Sequence, residues 1–559
     1  MGRFQILPCK NRFQRIQDWW IAHPYWALAL ATIAALAPFV AKPFNLDDPL
    51  FVWAAQHIHS HPANPYGFQV NWFGSTQPMW AAMLNPPLMC YYLAGAAIIF
   101  GWSELGLHSA CLVLAVVVVL GTYRLATKFC RRPWLAALVT LFSPGFLVSS
   151  TTVMCDVALL ACWIWAVVFW TEGTRQHSLL KLTFSGVLMG LAILTKFNGI
   201  CLIPLLAAFS GIENRGVGDW LTFLLIPLGI LGAYEWLTLE LYGFPHFSIA
   251  NDFAQAHRTN WFKAFTTLTF IGGCFATALL CSPCLWDRRF WLFIGGSSVL
   301  LFALAIGGGL MAKNYRWIDG NTRLGVEFQI LLWSTGGLSV LALAVLDAWH
   351  QRDANSWLLA LWVVGSFVYA AFFYFMVNGR AILPMAPAVA ILIARRFDQN
   401  VSRWPLGRKV ALVTSAALSL LAACADFQNA TSARKTAEMV CANYSPASGR
   451  LWFQGHWGFQ YYMQAKGAWP VDFEHPGVAA GDFLAMPELN SNEFPLNPQK
   501  SALDRVFSVR QFPWFATLNE KVGAGFYSSY WGPLPFAISR VPPQQVSVYV
   551  LKDLSQDAH

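Results

Sequence analysis

The chain has 559 residues, of which 56% are hydrophobic and only 12% are charged. Soluble domains carry roughly 25% charged residues, so this composition excludes an ordinary soluble protein and indicates a chain that lies mostly in lipid. The net charge of +9 does not indicate a nucleic-acid partner, because basic clusters between apolar segments are topology signals in membrane proteins.

The first predicted membrane span runs from about Tyr25 to Ala41 and follows a basic N-terminal stretch. We interpret it as a retained span, because the basic stretch is long for a signal peptide and no cleavage site is clear. Two adjacent carboxylates, Asp47 and Asp48, follow this span and precede Pro49. Charged side chains beside a bilayer are costly unless they have a partner or a task, so this pair is a candidate functional site.

The two carboxylates are predicted to have different roles. A residue before proline favours an extended backbone, and neighbouring side chains in such a segment diverge. One carboxylate should therefore point into a cleft, while the other orients it or caps the helix that begins at Pro49. The alternative is a helix cap plus a solvated loop acid, since Asp before Pro is a common cap pattern.

Membrane spans need about 20 mostly apolar residues. We predict about thirteen of them, which begin near Tyr25, Leu105, Trp134, Asp156, Leu180, Gly199, Trp220, Phe262, Phe290, Phe328, Trp357, Arg380 and Lys409. The apolar segment Leu88–Phe100 is too short for a span and is predicted to be an interfacial or re-entrant helix in the first outer loop.

The basic residues set the predicted orientation. With the N-terminus inside, the cytoplasmic loops hold 19 Lys and Arg residues, and the opposite loops before the C-terminal region hold 8. Counting Leu88–Phe100 as a span would reverse every later loop and place Arg131 and Arg132 outside. The preferred orientation puts six candidate charges on the non-cytoplasmic side: Asp47, Asp48, Asp156, Lys196, Arg258 and Arg380.

A change in composition near residue 427 predicts two domains. Residues 1–426 are expected to form the transmembrane domain, and residues 427–559 a small α/β domain outside the cytoplasm. The alternating stretches Arg450–Gln454 and Val546–Leu551 are typical of strands. The aromatic phrase Trp452–Tyr462 is expected to belong to this domain's core, although a sugar-stacking surface is the alternative.

Four further charges join the acidic pair as candidates. Asp156 interrupts an apolar run at the outer end of its span, so it should be paired or face water, unless it only caps the following helix. Lys196 and Arg380 also lie at outer span ends, where anchoring to lipid headgroups is the alternative explanation. Cations on the face that holds carboxylates would suit a phosphate-bearing lipid, and Arg258 is a weaker member of this set.

Several motifs in this chain occur in an order that resembles one superfamily. They are the pair Asp47–Asp48, the Pro-Pro-Leu phrase Asn85–Leu88, the turn Phe100–Glu104, Asp156, the Leu-Thr-Lys phrase Leu194–Lys196 and the phrase Arg380–Pro384. Together they resemble the GT-C glycosyltransferases, specifically the protein O-mannosyltransferase and lipid A aminoarabinose transferase type, over about residues 20–425.

The resemblance implies a polytopic enzyme with a GT-C-like fold. Such an enzyme uses a polyprenyl-phosphate-linked sugar and glycosylates a lipid, polysaccharide or protein acceptor on the non-cytoplasmic face. By motif position, Asp47 would be the carboxylate nearest the acceptor. This chain departs from the pattern twice: Asp48 stands where Glu is frequent, and Asn85 stands where Lys often precedes the two prolines.

The lost lysine at Asn85 means that Lys196 or Arg380 would have to supply a phosphate contact. We expect one inverting displacement, in which Asp47 (or Asp156 by default) takes the acceptor proton and the two cations stabilise the leaving phosphate. The expected location is a bacterial inner membrane, with the active site and the C-terminal domain in the periplasm.

No cofactor and no metal are expected. No metal-ligand spacing is visible, and Cys281 and Cys284 lack the second pair that a structural zinc site needs. Two alternatives from other classes remain, namely a lipid or sugar transporter and a non-catalytic subunit of envelope assembly. Transporters commonly carry paired repeats and interrupted helices near the midplane, whereas here the acids cluster towards one face and an outer domain is appended.

Overall fold

The computed structural model describes residues 22–214, 218–256, 262–309, 317–399, 405–444 and 450–552. The helices before residue 288 are Pro24–Leu36, Asp48–Ser60, Met79–Ala82, Leu88–Phe100, Glu104–Ala126, Pro133–Leu141, Pro144–Ser149, Asp156–Gln176, Leu179–Thr195, Leu202–Asn214, Leu225–Tyr242, His246–Ala256, Phe262–Cys274, Ala276–Leu280 and Ser282–Leu285. The later helices are Arg288–Gly307, Gly320–Gln351, Ala354–Val368, Gly379–Ile382, Ala386–Gln399, Pro405–Asn443 and Trp457–Ala465. Shorter helical turns cover Ala37–Phe39, Phe197–Cys201, Asp219–Leu224, Tyr369–Phe373, Leu383–Met385 and Glu520–Val522.

Eight helical stretches in the described ranges are long and apolar enough to cross a membrane. They are Glu104–Ala126, Asp156–Gln176, Phe197–Asn214, Trp220–Tyr242, Arg288–Gly307, Gly320–Gln351, Ala354–Phe373 and Pro405–Asn443. Large apolar side chains such as Phe293 and Leu300 lie exposed on these helices, a surface that suits lipid and not water. The prediction of an α-helical polytopic membrane protein is confirmed, while the number of thirteen spans stays a prediction.

Prolines divide two of the predicted spans into short helices. The span expected from Trp134 consists of Pro133–Leu141 and Pro144–Ser149, because Pro144 has no N–H group with which to continue the first helix. The span expected from Arg380 consists of the four-residue helix Gly379–Ile382, the turn Leu383–Met385, which contains Pro384, and the helix Ala386–Gln399. By contrast, Leu88–Phe100 forms a single helix with the predicted bounds, and its interfacial placement stays a prediction.

The first outer loop contains a helix and a hairpin. Helix Asp48–Ser60 begins one residue before the predicted start. Strands Gln69–Trp72 and Ser75–Pro78 pair antiparallel and are joined by the two residues Phe73 and Gly74. Both turn residues have a positive φ, 59° and 84°, as a two-residue turn of type I′ requires.

The C-terminal region confirms the two predicted strands. A five-stranded sheet has the order Trp469–Pro470, Leu451–Phe453, Phe483–Pro487, Gln544–Leu551 and Ser501–Val509. Leu451–Phe453 is parallel to both its neighbours, and Gln544–Leu551 is antiparallel to both of its own. Shorter strands are Phe515–Ala516, Leu518–Asn519, Ala524–Gly525 and Ala537–Ile538.

Two features connect the C-terminal region to the membrane helices. Helix Pro405–Asn443 runs without a break across the predicted domain boundary at residue 426, and that boundary stays a prediction. Phe515, Phe526 and Phe536 belong to the same buried apolar cluster as the membrane helices, whereas Phe459 packs in a separate cluster beneath the sheet. The expected core role of the aromatic phrase therefore holds for Phe453, Phe459 and Tyr462, which lie in that second cluster.

Candidate functional site

A cavity of about 1160 Å³ is lined by three of the predicted site residues. Asp47, Lys196 and Arg380 all line it. One part of its wall is apolar and comes from helices His246–Ala256 and Ala354–Val368. The cavity therefore combines an apolar channel with a charged group of side chains.

The residue directly before the two adjacent carboxylates, Leu46, has an unusual backbone conformation. Leu46 adopts a left-handed conformation with φ 53°, which bulky residues rarely adopt. The Asp47 side chain that follows is 35% exposed and lines the cavity. Asp48 is fully buried, and its two carboxylate oxygens accept the N–H groups of Asn45 and Val153, each at 3.0 Å. The two side chains thus diverge as predicted, but the expected extended backbone before Pro49 is wrong, because Asp48 is already the first residue of the helix.

Burial raises the pKa of Asp48 to about 7, although the charge of Lys42 and the two backbone N–H groups act in the opposite direction. Its contacts fix backbone and do not reach the cavity. Asp48 therefore holds the turn that presents Asp47, and it joins this turn to the segment that leads into Asp156.

Four of the predicted charges form one alternating network. Lys196 Nζ lies 2.8 Å from one oxygen of Asp156, whose other oxygen lies 3.9 Å from Arg380 Nη1. The same Arg380 nitrogen donates to Asp47 at 3.0 Å. Two cations and two carboxylates thus alternate from Lys196 to Asp47, and Asp156 at the centre is almost fully buried.

The network keeps donor capacity for a further anion. Lys196 has three N–H groups and uses one on Asp156, while its Nζ lies 5.4 Å from the ring centroid of Tyr374. Arg380 has five N–H groups, and its buried Nε has no hydrogen-bond partner among the described residues. Since unpaired buried donors are costly, a ligand oxygen would be favoured at this place.

The C-terminal region positions Arg380. The N–H of Gly379 donates to the carbonyl of Phe526 at 2.8 Å, and a Cβ at Gly379 would lie 2.6 Å from the Phe526 ring. Only glycine permits this approach without displacement. The next residue, Tyr527, places its ring centroid 5.7 Å from the Arg380 guanidinium carbon.

Sequence reasoning missed a second buried ion pair behind this site. Lys42 and Asp426 form a direct salt bridge, and both side chains are almost fully buried. Thr517 and Tyr527 donate to the Asp426 oxygens, each at 2.8 Å. The isolated carboxylate near the end of an apolar span was the available signal, because the same criterion selected Asp156.

Asp48 is a predicted site residue that lies outside the network, since its carboxylate oxygens accept backbone N–H groups. Arg258 lies outside the described residues, so its phosphate-binding role stays a prediction. Asn85, which replaces the expected lysine, lines the cavity. Among the residues that the structure describes, no group of three His, Cys, Asp or Glu side chains is arranged to hold a metal ion.

The fold and the site define a multi-pass membrane protein with a paired-charge site at the end of an apolar cavity. Residues 84–234 match a family model described as dolichyl-phosphate-mannose-protein mannosyltransferase. This match confirms the predicted resemblance to the GT-C glycosyltransferases over this segment, and the predicted enzyme class agrees with the description of the matched family. The matched range includes Asp156 and Lys196 but neither Asp47 nor Arg380.

Solved structures of three proteins resemble the chain in general outline. An Archaeoglobus fulgidus oligosaccharyltransferase tethered with an acceptor peptide has 14% identity and a TM-score of 0.49 over 83% of this chain. ArnT from Cupriavidus metallidurans bound to undecaprenyl phosphate has 15% identity and a TM-score of 0.45, covering 84% of this chain and 93% of that one. The arabinofuranosyltransferase AftD from Mycobacteria has 13% identity and a TM-score of 0.39, covering 96% and 40%.

The chain spans 65% of the length of the archaeal oligosaccharyltransferase. No match was found among curated protein sequences. All three TM-scores are below 0.5, so these likenesses concern only the general outline of the chain.

Proposed function

We propose that the whole protein transfers a sugar from a polyprenyl-phosphate-linked donor to a hydroxyl of a lipid, polysaccharide or protein acceptor. The observation that carries this proposal is the convergence of Asp47, Lys196 and Arg380 on one cavity with an apolar wall. These are the groups that the reaction needs, namely a proton acceptor, cations for a phosphate and a surface for a lipid chain.

The donor binds across the two parts of the cavity. Its isoprenoid chain packs against the apolar wall, which includes Phe253, Leu361 and Val368. Its phosphate is held by the spare N–H groups of Lys196 and Arg380, since charge-assisted hydrogen bonds to phosphate are strong and arginine presents a planar fork of donors. If Arg258 contributes as predicted, it adds a third cation.

Donor binding also releases the catalytic base. In the structure, Arg380 Nη1 lies 3.0 Å from the Asp47 carboxylate. A phosphate that binds Arg380 competes with Asp47 for the same guanidinium, so Asp47 becomes available to an acceptor hydroxyl. Asp156 stays paired with Lys196 at 2.8 Å and keeps that cation in position.

The chemical step is a single displacement at the anomeric carbon. Asp47 takes the proton of the acceptor hydroxyl as its oxygen forms the new glycosidic bond. The bond between the anomeric carbon and the phosphate oxygen breaks at the same time, and its electron pair leaves with the polyprenyl phosphate. Lys196 and Arg380 stabilise that developing charge, and the anomeric configuration inverts.

We place this reaction on the non-cytoplasmic face of a bacterial inner membrane, with the C-terminal region in the periplasm. The bias of basic residues towards the opposite loops supports this orientation. The acids and cations of the network then lie on the side where polyprenyl-linked sugars and envelope acceptors meet.

The test is turnover by the purified protein with a panel of polyprenyl-phosphate sugars, measured as released polyprenyl phosphate. Asp47→Asn should lower kcat by about 10²- to 10⁴-fold, the usual effect of losing a general base. Its matched control is Glu327→Gln, which should leave kcat unchanged because the Glu327 carboxylate pairs with the exposed Arg323.

The outcomes distinguish Asp47 from Asp156 as the base, and an enzyme from other classes of protein. Equal turnover by wild type and Asp47→Asn would remove Asp47 as the base. Loss of turnover in Asp156→Asn together with normal turnover in Asp47→Asn would transfer that role to Asp156. Wild-type protein that binds polyprenyl phosphate but turns over no donor in the panel would contradict the enzyme proposal and favour a transporter or an assembly subunit.

A further inference from the structure

Strained backbone is concentrated around the cavity. Six described residues other than glycine have a positive φ. Two of them, His177 and Arg352, are C-caps of helices, where a left-handed conformation is common. The remaining four all line the cavity: Leu46, Phe73, Trp457 and Asn492.

Three of these four residues are bulky, so their conformations are unfavourable by themselves. A left-handed backbone is rare for Leu, Phe and Trp, whereas Asn tolerates it. Strain of this kind persists only where the surroundings enforce it, and it clusters at ligand-binding sites. Leu46 is explained by the presentation of Asp47, but Phe73, Trp457 and Asn492 have no part in the charge network.

These residues belong to an aromatic wall, which we define as Phe73, Trp457, Tyr530 and Trp531. Trp457 and Trp531 meet edge to face with ring centroids 5.3 Å apart. Phe73 and Tyr530 are 45% and 41% exposed. All four line the cavity, together with the polar residues Ser491 and Asn492. The wall thus offers large apolar rings beside hydrogen-bonding groups.

Contacts between the first outer loop and the C-terminal region fix the positions of Phe73 and Trp457 in the aromatic wall. The hairpin that carries Phe73 is tied to the C-terminal region, where the N–H of Phe473 donates to the Gly74 carbonyl at 2.9 Å and Asp472 accepts the N–H of Thr76 at 3.2 Å. The N-terminal end of the helix that begins at Trp457 packs against the Phe44–Asn45 backbone, since a Cβ at Gly458 would lie 2.2 Å from the Phe44 carbonyl oxygen. The wall therefore flanks the turn that presents Asp47.

We infer that the aromatic wall is the subsite for a saccharide acceptor, so that the hydroxyl glycosylated belongs to a sugar ring. A sugar ring has an apolar face of C–H groups and a rim of hydroxyls. Rings such as Trp457 and Phe73 match that face, and Ser491 and Asn492 match the rim. The inference rests on the proposed function, because the acceptor is identified by its place beside the proposed base Asp47.

The experiment measures saccharide binding without catalysis. Wild-type protein in nanodiscs, free of sugar-based detergent, is mixed with maltohexaose, cellohexaose or mannohexaose, and saturation-transfer NMR records which ring protons contact the protein. Hexaethylene glycol is the negative probe. At least one hexasaccharide should bind through C–H protons of one ring face, and hexaethylene glycol should not bind.

The main variant is Phe73→Asn, which removes the ring but suits a type I′ turn better than Phe does. Saccharide affinity should fall at least 10-fold while the thermal unfolding midpoint stays equal or rises. His177→Asn is the matched control, because it makes a similar change at a left-handed residue outside the cavity, and its saccharide affinity should equal that of wild type. Trp531→Leu provides a second variant of the wall and should also lose at least 10-fold.

The outcomes separate this inference from the proposed function. No binding by any hexasaccharide, or equal binding by wild type and both wall variants, would overturn the saccharide subsite. Turnover of a polyprenyl-phosphate donor onto an acceptor without a sugar, unchanged in Phe73→Asn, would overturn it as well and leave the proposed function intact. Ring-face binding that is lost in the wall variants would support the subsite even if no donor were turned over, and then only the proposed function would fail.

Discussion

The carboxylate of Asp48 accepts the backbone N–H of Val153 at 3.0 Å, across 105 residues of sequence. Its other oxygen accepts the N–H of Asn45. One buried side chain therefore connects the turn that presents Asp47 with the segment that leads into Asp156. The distance between the two proposed site carboxylates depends on a residue that does not itself line the cavity.

Asp48→Asn tests this connection. An amide has only one acceptor oxygen, so one of the two buried N–H groups loses its partner, which costs about 1–3 kcal/mol of unfolding free energy. Turnover should fall together with the thermal unfolding midpoint. Asp287→Asn is the matched control, since Asp287 caps a helix through a single N–H and Asn caps equally well. A variant with normal stability and normal turnover would show that Asp48 is dispensable.

Asp156→Asn should lower the free energy of unfolding more than Asp48→Asn does. It leaves Lys196 buried without the carboxylate that lies 2.8 Å away, and breaking a buried pair in this way costs about 3–5 kcal/mol. The double variant Asp156→Asn with Lys196→Met removes the stranded charge and should recover most of the lost stability but no turnover. Thermal unfolding of the single and double variants measures this difference. If the double variant were as unstable as Asp156→Asn, the stranded charge of Lys196 would not be the cause.

The convergence of Asp47, Asp156, Lys196 and Arg380 was accessible from the sequence for a specific reason. Asp156, Lys196 and Arg380 are isolated charges and Asp47 belongs to an acidic pair, all at the same predicted face of an apolar chain, where charges must find partners or a task. The order of the motifs, which resembles that of the GT-C glycosyltransferases, added the expectation that these four side chains belong to one site. Their catalytic and phosphate-binding roles stay predictions.

The pair Lys42 and Asp426 was not accessible in the same way. These residues are 384 positions apart, and no local pattern reports a contact over such a distance. In the predicted topology, Lys42 lies in a loop on the non-cytoplasmic side, and Asp426 is the last residue of the transmembrane domain. The positive φ values of Phe73 and Trp457 were inaccessible too, because neither residue type favours that conformation.

Gly379→Ala tests how the C-terminal region positions Arg380. The added methyl group would lie 2.6 Å from the ring of Phe526, which is fully buried and cannot move aside easily. Overpacking of this kind costs about 1–3 kcal/mol, and the displaced Arg380 should raise the KM for the donor. Gly295→Ala is the matched control, because nothing lies within 4 Å of that Cβ and alanine favours the helix. Equal donor KM in both variants would contradict the positioning role of this contact.

The stability of the protein should fall in mild acid because of His246. Burial lowers the pKa of this imidazole to about 4, and it stays neutral between the Tyr234 hydroxyl at 2.7 Å and the Met83 carbonyl at 2.8 Å. In the unfolded chain the same group titrates near 6.5, so below that pH the unfolded state binds a proton that the folded state does not. The stabilisation is therefore complete above about pH 6.5 and is lost as the pH falls to about 4, by an amount of about 3 kcal/mol. Thermal unfolding of wild type and His246→Gln from pH 7 to pH 4 measures this contribution. The Gln variant cannot titrate, so its midpoint should fall less over this range than that of wild type, and parallel curves would show that His246 is not the group responsible.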